Sequence, residues 1–177
     1  LTELNVGGNP LGTIDLSTNT ALEILTAGDA QLAALTLTNN TNLSFLQAIN
    51  NLFTSLDLSA NGQLTYIRLD GNNLMTTLNI QNGNNSNLTD LIATNCATLT
   101  CVKVDNVAYM QSNWPSAIDI TATYSDVCPL PGPAAALQFD GVDDQVVVSN
   151  SNVDLSNKSF SVEMWLKHDS YLQYNVA

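Results

Sequence analysis

The chain has 177 residues, enough for one domain or two small ones, and a formal net charge of −12 with only four lysines plus arginines. That balance opposes binding to nucleic acid or to an anionic membrane surface, both of which attract basic segments. Charged residues make up 11% of the chain, against roughly 25% in an average domain, and Asn, Thr and Ser take the polar positions, unlike a cytosolic enzyme or a helical bundle.

From Leu1 onward the chain repeats. The segments Leu1-x-x-Leu4-x-Val6-x-x-Asn9, Leu11-x-x-Ile14-x-Leu16-x-x-Asn19, Leu32-x-x-Leu35-x-Leu37-x-x-Asn40, Leu43-x-x-Leu46-x-Ala48-x-x-Asn51 and Leu64-x-x-Ile67-x-Leu69-x-x-Asn72 share one pattern. It weakens at Leu22-x-x-Leu25-x-Ala27, where Ala30 replaces Asn. It loosens after Asn82, where Gly83-Asn84-Asn85-Ser86-Asn87 reads as a small insertion, and resumes at Leu88-x-x-Leu91-x-Ala93-x-x-Cys96. Each unit is a half-repeat, and two make a turn of about 21 residues, within the leucine-rich-repeat range. The L-x-L residues alternate and so point to one face of a short strand. One turn cannot bury them alone, so neighbours must stack, and each buried Leu contributes roughly 1.5–3 kcal/mol. The recurring Asn is expected to bond its amide to backbone groups at the turns, forming a ladder. Cys96 stands at an Asn position, where a structural role is expected. The fold class is therefore mainly β, a leucine-rich-repeat solenoid.

These alternating halves, as in LTELNVGGNP and LGTIDLSTNTA, resemble the repeats of internalin-like exported bacterial leucine-rich-repeat proteins. The stretch from Cys101 through Tyr109 and Trp114 to Cys128 looks like the terminal cap of such arrays in Bacteroidota surface proteins. The resemblance covers residues 1–128 and implies a secreted or cell-surface bacterial protein, with type IX secretion as the export route. It also implies contact with secretion-machinery components. A solenoid's last turn exposes its apolar interior, and Tyr109, Trp114 and Ile118 would supply the lid. A Cys101–Cys128 disulfide would staple it, contributing roughly 3.5 kcal/mol on the chain-entropy model. The rival use of the cysteines, metal binding, lacks a C-x-x-C pair, and the only His, His168, is remote.

Residues 129–136, Pro129-Leu130-Pro131-Gly132-Pro133 followed by three alanines, read as a semi-rigid linker. Beyond it, Val146-Val147-Val148 and Phe160 to Leu166 are strand candidates. The order ALQFDGVDDQVVV then FSVEMWLK resembles the start of a laminin-G-like or concanavalin-A-like β jelly roll, so residues 137–177 are expected to be its incomplete N-terminal part. That resemblance implies glycan or protein binding, sometimes with calcium. Asp140, Asp143 and Asp144 would be the oxygen ligands for it; as turn residues they would need no cofactor. The chain starts in phase with a repeat and without Met, which predicts an internal piece of a larger protein. No apolar run approaches the ~20 residues of a membrane span, so no membrane insertion is expected.

The outward positions of the two half-repeat classes differ. One class carries Thr13, Asp15, Ser17, then Ala34, Thr36, Thr38, then Ser55, Asp57, Ser59, then Thr77, Asn79, Gln81, all small or polar. The other carries Ile24, Thr26, Gly28, then Phe45, Gln47, Ile49, then Tyr66, Arg68, Asp70, then Asp90, Ile92, Thr94. The variable class is expected to face a ligand through Phe45, Gln47, Ile49, Tyr66, Arg68, Asp70 and Ile92, since Tyr and Arg are typical interface anchors. The bland alternative is a scatter of ordinary surface residues. No nucleophile–base pair, phosphate loop or zinc motif suggests an enzyme. Asp15 and Asp57 could be imagined as a glycosidase pair, but they sit at equivalent repeat positions and read as a structural ladder. Sequons at Asn39, Asn42, Asn84, Asn87 and Asn157 arise by chance in an Asn- and Thr-rich ladder. The sequence thus favours a non-catalytic adhesion or recognition module for a protein or glycan. The alternatives are a structural spacer or secretion cargo, and the binding accessory of an exported enzyme whose catalytic domain lies elsewhere.

Overall fold

The computed structural model describes residues 1–128. The expectations for the linker, the jelly-roll start, the acidic trio at Asp140, Asp143 and Asp144, and Asn157 lie outside the described residues. In chain order the strands are β1 (Glu3–Asn5), β2 (Ile24–Thr26), β3 (Phe45–Gln47), β4 (Ser55–Asp57), β5 (Tyr66–Arg68), β6 (Thr77–Asn79), β7 (Asp90–Ile92), β8 (Cys101–Lys103) and β9 (Thr123–Ser125). They form two parallel sheets: a first, five-stranded sheet ordered β1-β2-β3-β5-β7, and a second, four-stranded sheet ordered β4-β6-β8-β9. One strand of each sheet belongs to each coil from β3 on, so the coils wind between two sheets, as the half-repeats predict.

Each strand holds the short alternating centre of a half-repeat, and the middle residue points inward. Leu25, Leu46, Ile67 and Leu91 line the inside of the first sheet, and Leu56, Leu78, Val102 and Tyr124 that of the second. The leading residues Leu22, Leu43 and Leu64, and likewise Leu32, Phe53 and Met75, fill the corners and are fully buried. The interior is one continuous cluster from Leu16 to Tyr124, which is how coils too thin to fold alone become stable together.

Coil length is not uniform. First-sheet strands up to β5 recur every 21 residues, and β7 follows β5 after 24. The added residues form a 3-10 turn at Asn85–Asn87, where Asn85 is buried, donates to the Ile80 carbonyl at 2.7 Å and accepts from the Asp105 N–H at 2.8 Å. The expected insertion is therefore a built part of the wall. On the opposite side, the legs at 13–17 and 34–38 keep buried Leu16, Leu35 and Leu37 but form no strands. Strand pairing there begins at β4 and β6, whose register steps by 22 residues.

Two asparagine ladders close the coils, each reaching one coil back. In one, Asn51 donates to the carbonyls of Ala27 (2.8 Å), Ala48 (3.2 Å) and Ile49 (3.1 Å), and its Oδ1 accepts from the N–H groups of Ala30 (3.3 Å) and Leu32 (2.9 Å). Asn72 repeats this against Ala48 and Leu69 while accepting from the Asn51 N–H. In the other, Asn40 donates to Leu16 and Asn19, and Asn61 to Leu37 and Asn40. Buried backbone groups at a turn need such partners, and the amide supplies a donor and an acceptor at once. Cys96 takes the third rung of the first ladder, its thiol donating to the Leu69 carbonyl at 3.5 Å, and burial pushes that thiol above its ordinary value. Both ladders end on a carboxylate. Asp119 accepts from the N–H groups of Asn95 and Cys96, and Asp105 from those of Gly83 and Asn85.

Before each rung the chain turns through the left-handed region, at Asp29, Asn50, Gly71 and Asn95 (φ +55°, +53°, +77° and +55°). Asn, Asp and Gly tolerate that conformation. At Gly71 an added Cβ would meet the Asn50 amide oxygen, which would have to shift. Hydroxyl ladders mark the strand starts as well: Ser44, Thr65 and Thr89 each donate one coil back, and so do Thr76, Thr100 and Thr123.

The far end is closed as expected, with additions. A short helix, α1 (Val107–Asn113), is capped by Asn106, whose side chain accepts from the Tyr109 N–H at 3.0 Å. It inserts Met110, fully buried, into the open end of the core, with Tyr109 and Trp114 packed beside it. Ile118 bridges to Ala93 and continues the first sheet by one residue. Tyr124 donates to the Trp114 carbonyl at 2.8 Å, and its burial raises the phenol well above its usual range. Cys101 and Cys128 are disulfide-bonded with Cα atoms 5.8 Å apart, tying the chain after β9 to the start of β8.

Candidate recognition face

The first sheet presents three rows of outward side chains along the solenoid. Parallel pairing places equivalent residues side by side, at the ~4.8 Å strand spacing. One row runs Ile24, Phe45, Tyr66, Asp90, and the next Thr26, Gln47, Arg68, Ile92. Ile49 and Asp70 follow β3 and β5 at the strand ends. The structure therefore gathers Phe45, Gln47, Tyr66, Arg68 and Ile92 on neighbouring strands, with Ile49 and Asp70 on the margin.

Within that face the rings of Phe45 and Tyr66 stack with centroids 4.1 Å apart and planes 8° from parallel. The Arg68 guanidinium lies 5.7 Å from the Tyr66 centroid, giving a cation–π contact, and donates to Asp90 Oδ2 at 2.9 Å. The hydrogen bond to Asp90 raises the Arg68 pKa above its ordinary value. Asp90 thus joins the site through a contact that its place in the variable row did not reveal. Arg68 Nε and Asp70 Oδ1 are shielded from solvent and have no partner among the described residues.

The aromatic patch is less open than the sequence suggests. Phe45, Tyr66, Ile49 and Ile92 are all half-buried. Register explains this: outward aromatics on adjacent parallel strands cover one another's faces and leave their edges to solvent. Ile49 also leans over the neighbouring coil, where a Cβ on Gly28 would come within 2.8 Å of its Cγ1. Its packing is partly structural.

The second sheet offers a contrast. On β4 and β6 its outward residues Ser55, Asp57, Thr77 and Asn79 are short and polar, and β8 adds Lys103 to the same row as Asp57 and Asn79. Asp57 accepts from the Ser59 N–H at 2.9 Å and from the Asn79 amide at 3.0 Å. Asp15 accepts from the Ser17 N–H at 2.9 Å, which holds its carboxyl below the ordinary value. Both carboxylates therefore hold turns in the manner expected of a ladder. Among the described residues, no group of three or more His, Cys, Asp or Glu side chains is placed to hold a metal ion. No helix among them is long and apolar enough to cross a membrane.

The coordinates define a leucine-rich-repeat-like solenoid whose coils run between two parallel sheets. No family model matches the chain, and no curated protein matches it. Among solved structures it is similar to the functional domain of InlJ from Listeria monocytogenes, described as including a cysteine ladder, at 21% sequence identity and a TM-score of 0.43. The alignment covers 59% of this chain and 31% of that one, so the chain spans about a third of the neighbour's length.

Proposed function

We propose that this chain is a non-catalytic recognition or adhesion module of an exported surface protein, binding a protein or glycan through the outer face of the first sheet. One observation carries the reading. Two faces are built by the same repeat, yet only the first holds outward aromatic rings among the described residues, the Phe45–Tyr66 stack continued by Arg68 and Asp90. Folding does not demand them, since the second sheet is built with Ser, Thr, Asp and Asn at the same kind of position. Aromatic and Arg side chains are the common anchors of interfaces. The Cys101–Cys128 bond supports an oxidising compartment and hence export. A Bacteroidota source, type IX secretion, and a laminin-G-like domain over residues 137–177 belong to the same proposal, on the resemblances in the sequence.

The test applies the chain and its Phe45→Ala/Tyr66→Ala/Arg68→Ala variant in parallel to arrays of glycans and cell-surface proteins. Ligands of the parent chain are expected to weaken by about tenfold or more in the variant. A Ser55→Ala/Thr77→Ala control on the second sheet should leave them unchanged. Equal loss in both variants, or loss in neither, contradicts the assignment.

A further inference from the structure

The recognition face is acidic around an apolar centre. The first-sheet strands and the residues flanking them carry the carboxylates of Glu3, Glu23, Asp29, Asp70 and Asp90, against one cation, Arg68, already paired with Asp90. Asp29 also accepts from the Asn50 amide at 3.0 Å, a bond that Asn at this position keeps, while elsewhere on the coils Asp15, Asp57 and Asp105 each accept backbone N–H groups. On the recognition face Asp70 keeps an oxygen with no partner among the described residues. Carboxylates gathered round an aromatic file repel one another, and a basic partner would relieve that repulsion.

Ring geometry bears on the kind of partner. Sugar stacking needs an open ring face. Tyr66 has one face against Phe45 and the Arg68 guanidinium within 5.7 Å of its centroid, which leaves ring edges outermost. Apolar side chains pack against such edges, and lysine or arginine stems would lie along them towards the carboxylates.

We infer that the occupant of this face is a protein segment with an apolar or aromatic centre flanked by Lys or Arg. This rests on the first sheet being the recognition face. The test selects a random displayed peptide library against the whole chain, then measures the dissociation constants of enriched synthetic peptides at low and high salt. The enriched peptides should place basic residues around an apolar one, and their affinity should fall by about tenfold between ~0.05 M and ~0.5 M salt. The Glu3→Gln/Glu23→Gln/Asp29→Asn variant, which touches no leucine of the interior, should bind about fivefold more weakly at low salt and nearly normally at high salt.

A neutral or acidic pool, salt-independent binding, or no enrichment overturns the inferred partner. Binding of an arrayed glycan that is lost in the Phe45→Ala/Tyr66→Ala variant, with no peptide binding, overturns the protein partner while leaving the face intact. Basic peptides that bind that variant normally would overturn the face itself.

Discussion

Asn51→Ala lowers the unfolding free energy by about 4 kcal/mol in chemical denaturation. The side chain is 3% exposed, so water cannot replace what it provides. Its removal strands the N–H groups of Ala30 and Leu32 and the carbonyl of Ala27, while the Ala48 and Ile49 carbonyls keep the Asn72 amide and the Asp29 N–H. Each buried group left without a partner costs about 1–3 kcal/mol, and partial relaxation of the turn brings the sum down to the stated value. Asn51→Cys should cost less, because Cys96 shows that a thiol fits the same rung and still reaches a carbonyl. A loss of under about 1 kcal/mol in Asn51→Ala would mean that the ladder does not hold the coils together.

The Cys101→Ser/Cys128→Ser double variant loses about 3.5 kcal/mol on the chain-entropy account of a cross-link spanning 27 residues. The damage should be local at first. β9 and the segment around Ile118 join the solenoid only at its end, so their amides should exchange fastest, while β2 and β3 keep their protection. Met110 and Tyr124 would lose their cover next, exposing the end of the leucine interior. Unchanged stability with unchanged exchange at β9 would assign closure of the end to the apolar lid alone.

The coil and its two strands were legible because the apolar period is strict and one residue of slippage would turn Leu25 or Leu46 to solvent. The Asn ladders were legible for the same reason, since Asn40, Asn51, Asn61 and Asn72 recur in phase with the leucines. The ladder ends were not, because an Asp such as Asp105 or Asp119 in a loop reads as a turn residue until its backbone partners are seen. The hydroxyl ladders at Ser44 and Thr65 stayed hidden because those residues look like solvent-facing polar filler. α1 lay beneath a segment too short for helical periodicity, with Asn106 as its one start signal and Met110 as the missed core residue.

On the candidate face, the rows were legible from the repeat, but the contacts were not. Phe45 and Tyr66 become neighbours only through a parallel register set by the coil length, and the Arg68–Asp90 pair depends on side-chain rotamers. The stacking that half-buries both rings follows from that register, which is why an open apolar patch was expected and a closed file is found.

The most direct test of the recognition face is a hydrogen-exchange footprint of the chain with and without a saturating ligand recovered from the arrays. Slowed exchange confined to the first sheet, over Phe45–Asn50, Tyr66–Gly71 and the adjoining Asp90–Ile92, with Ser55–Ser59 and Thr77–Gln81 unchanged, is the expected result. Protection on the Ser55–Ser59 side, with Phe45 and Tyr66 exchanging as before, would contradict the account.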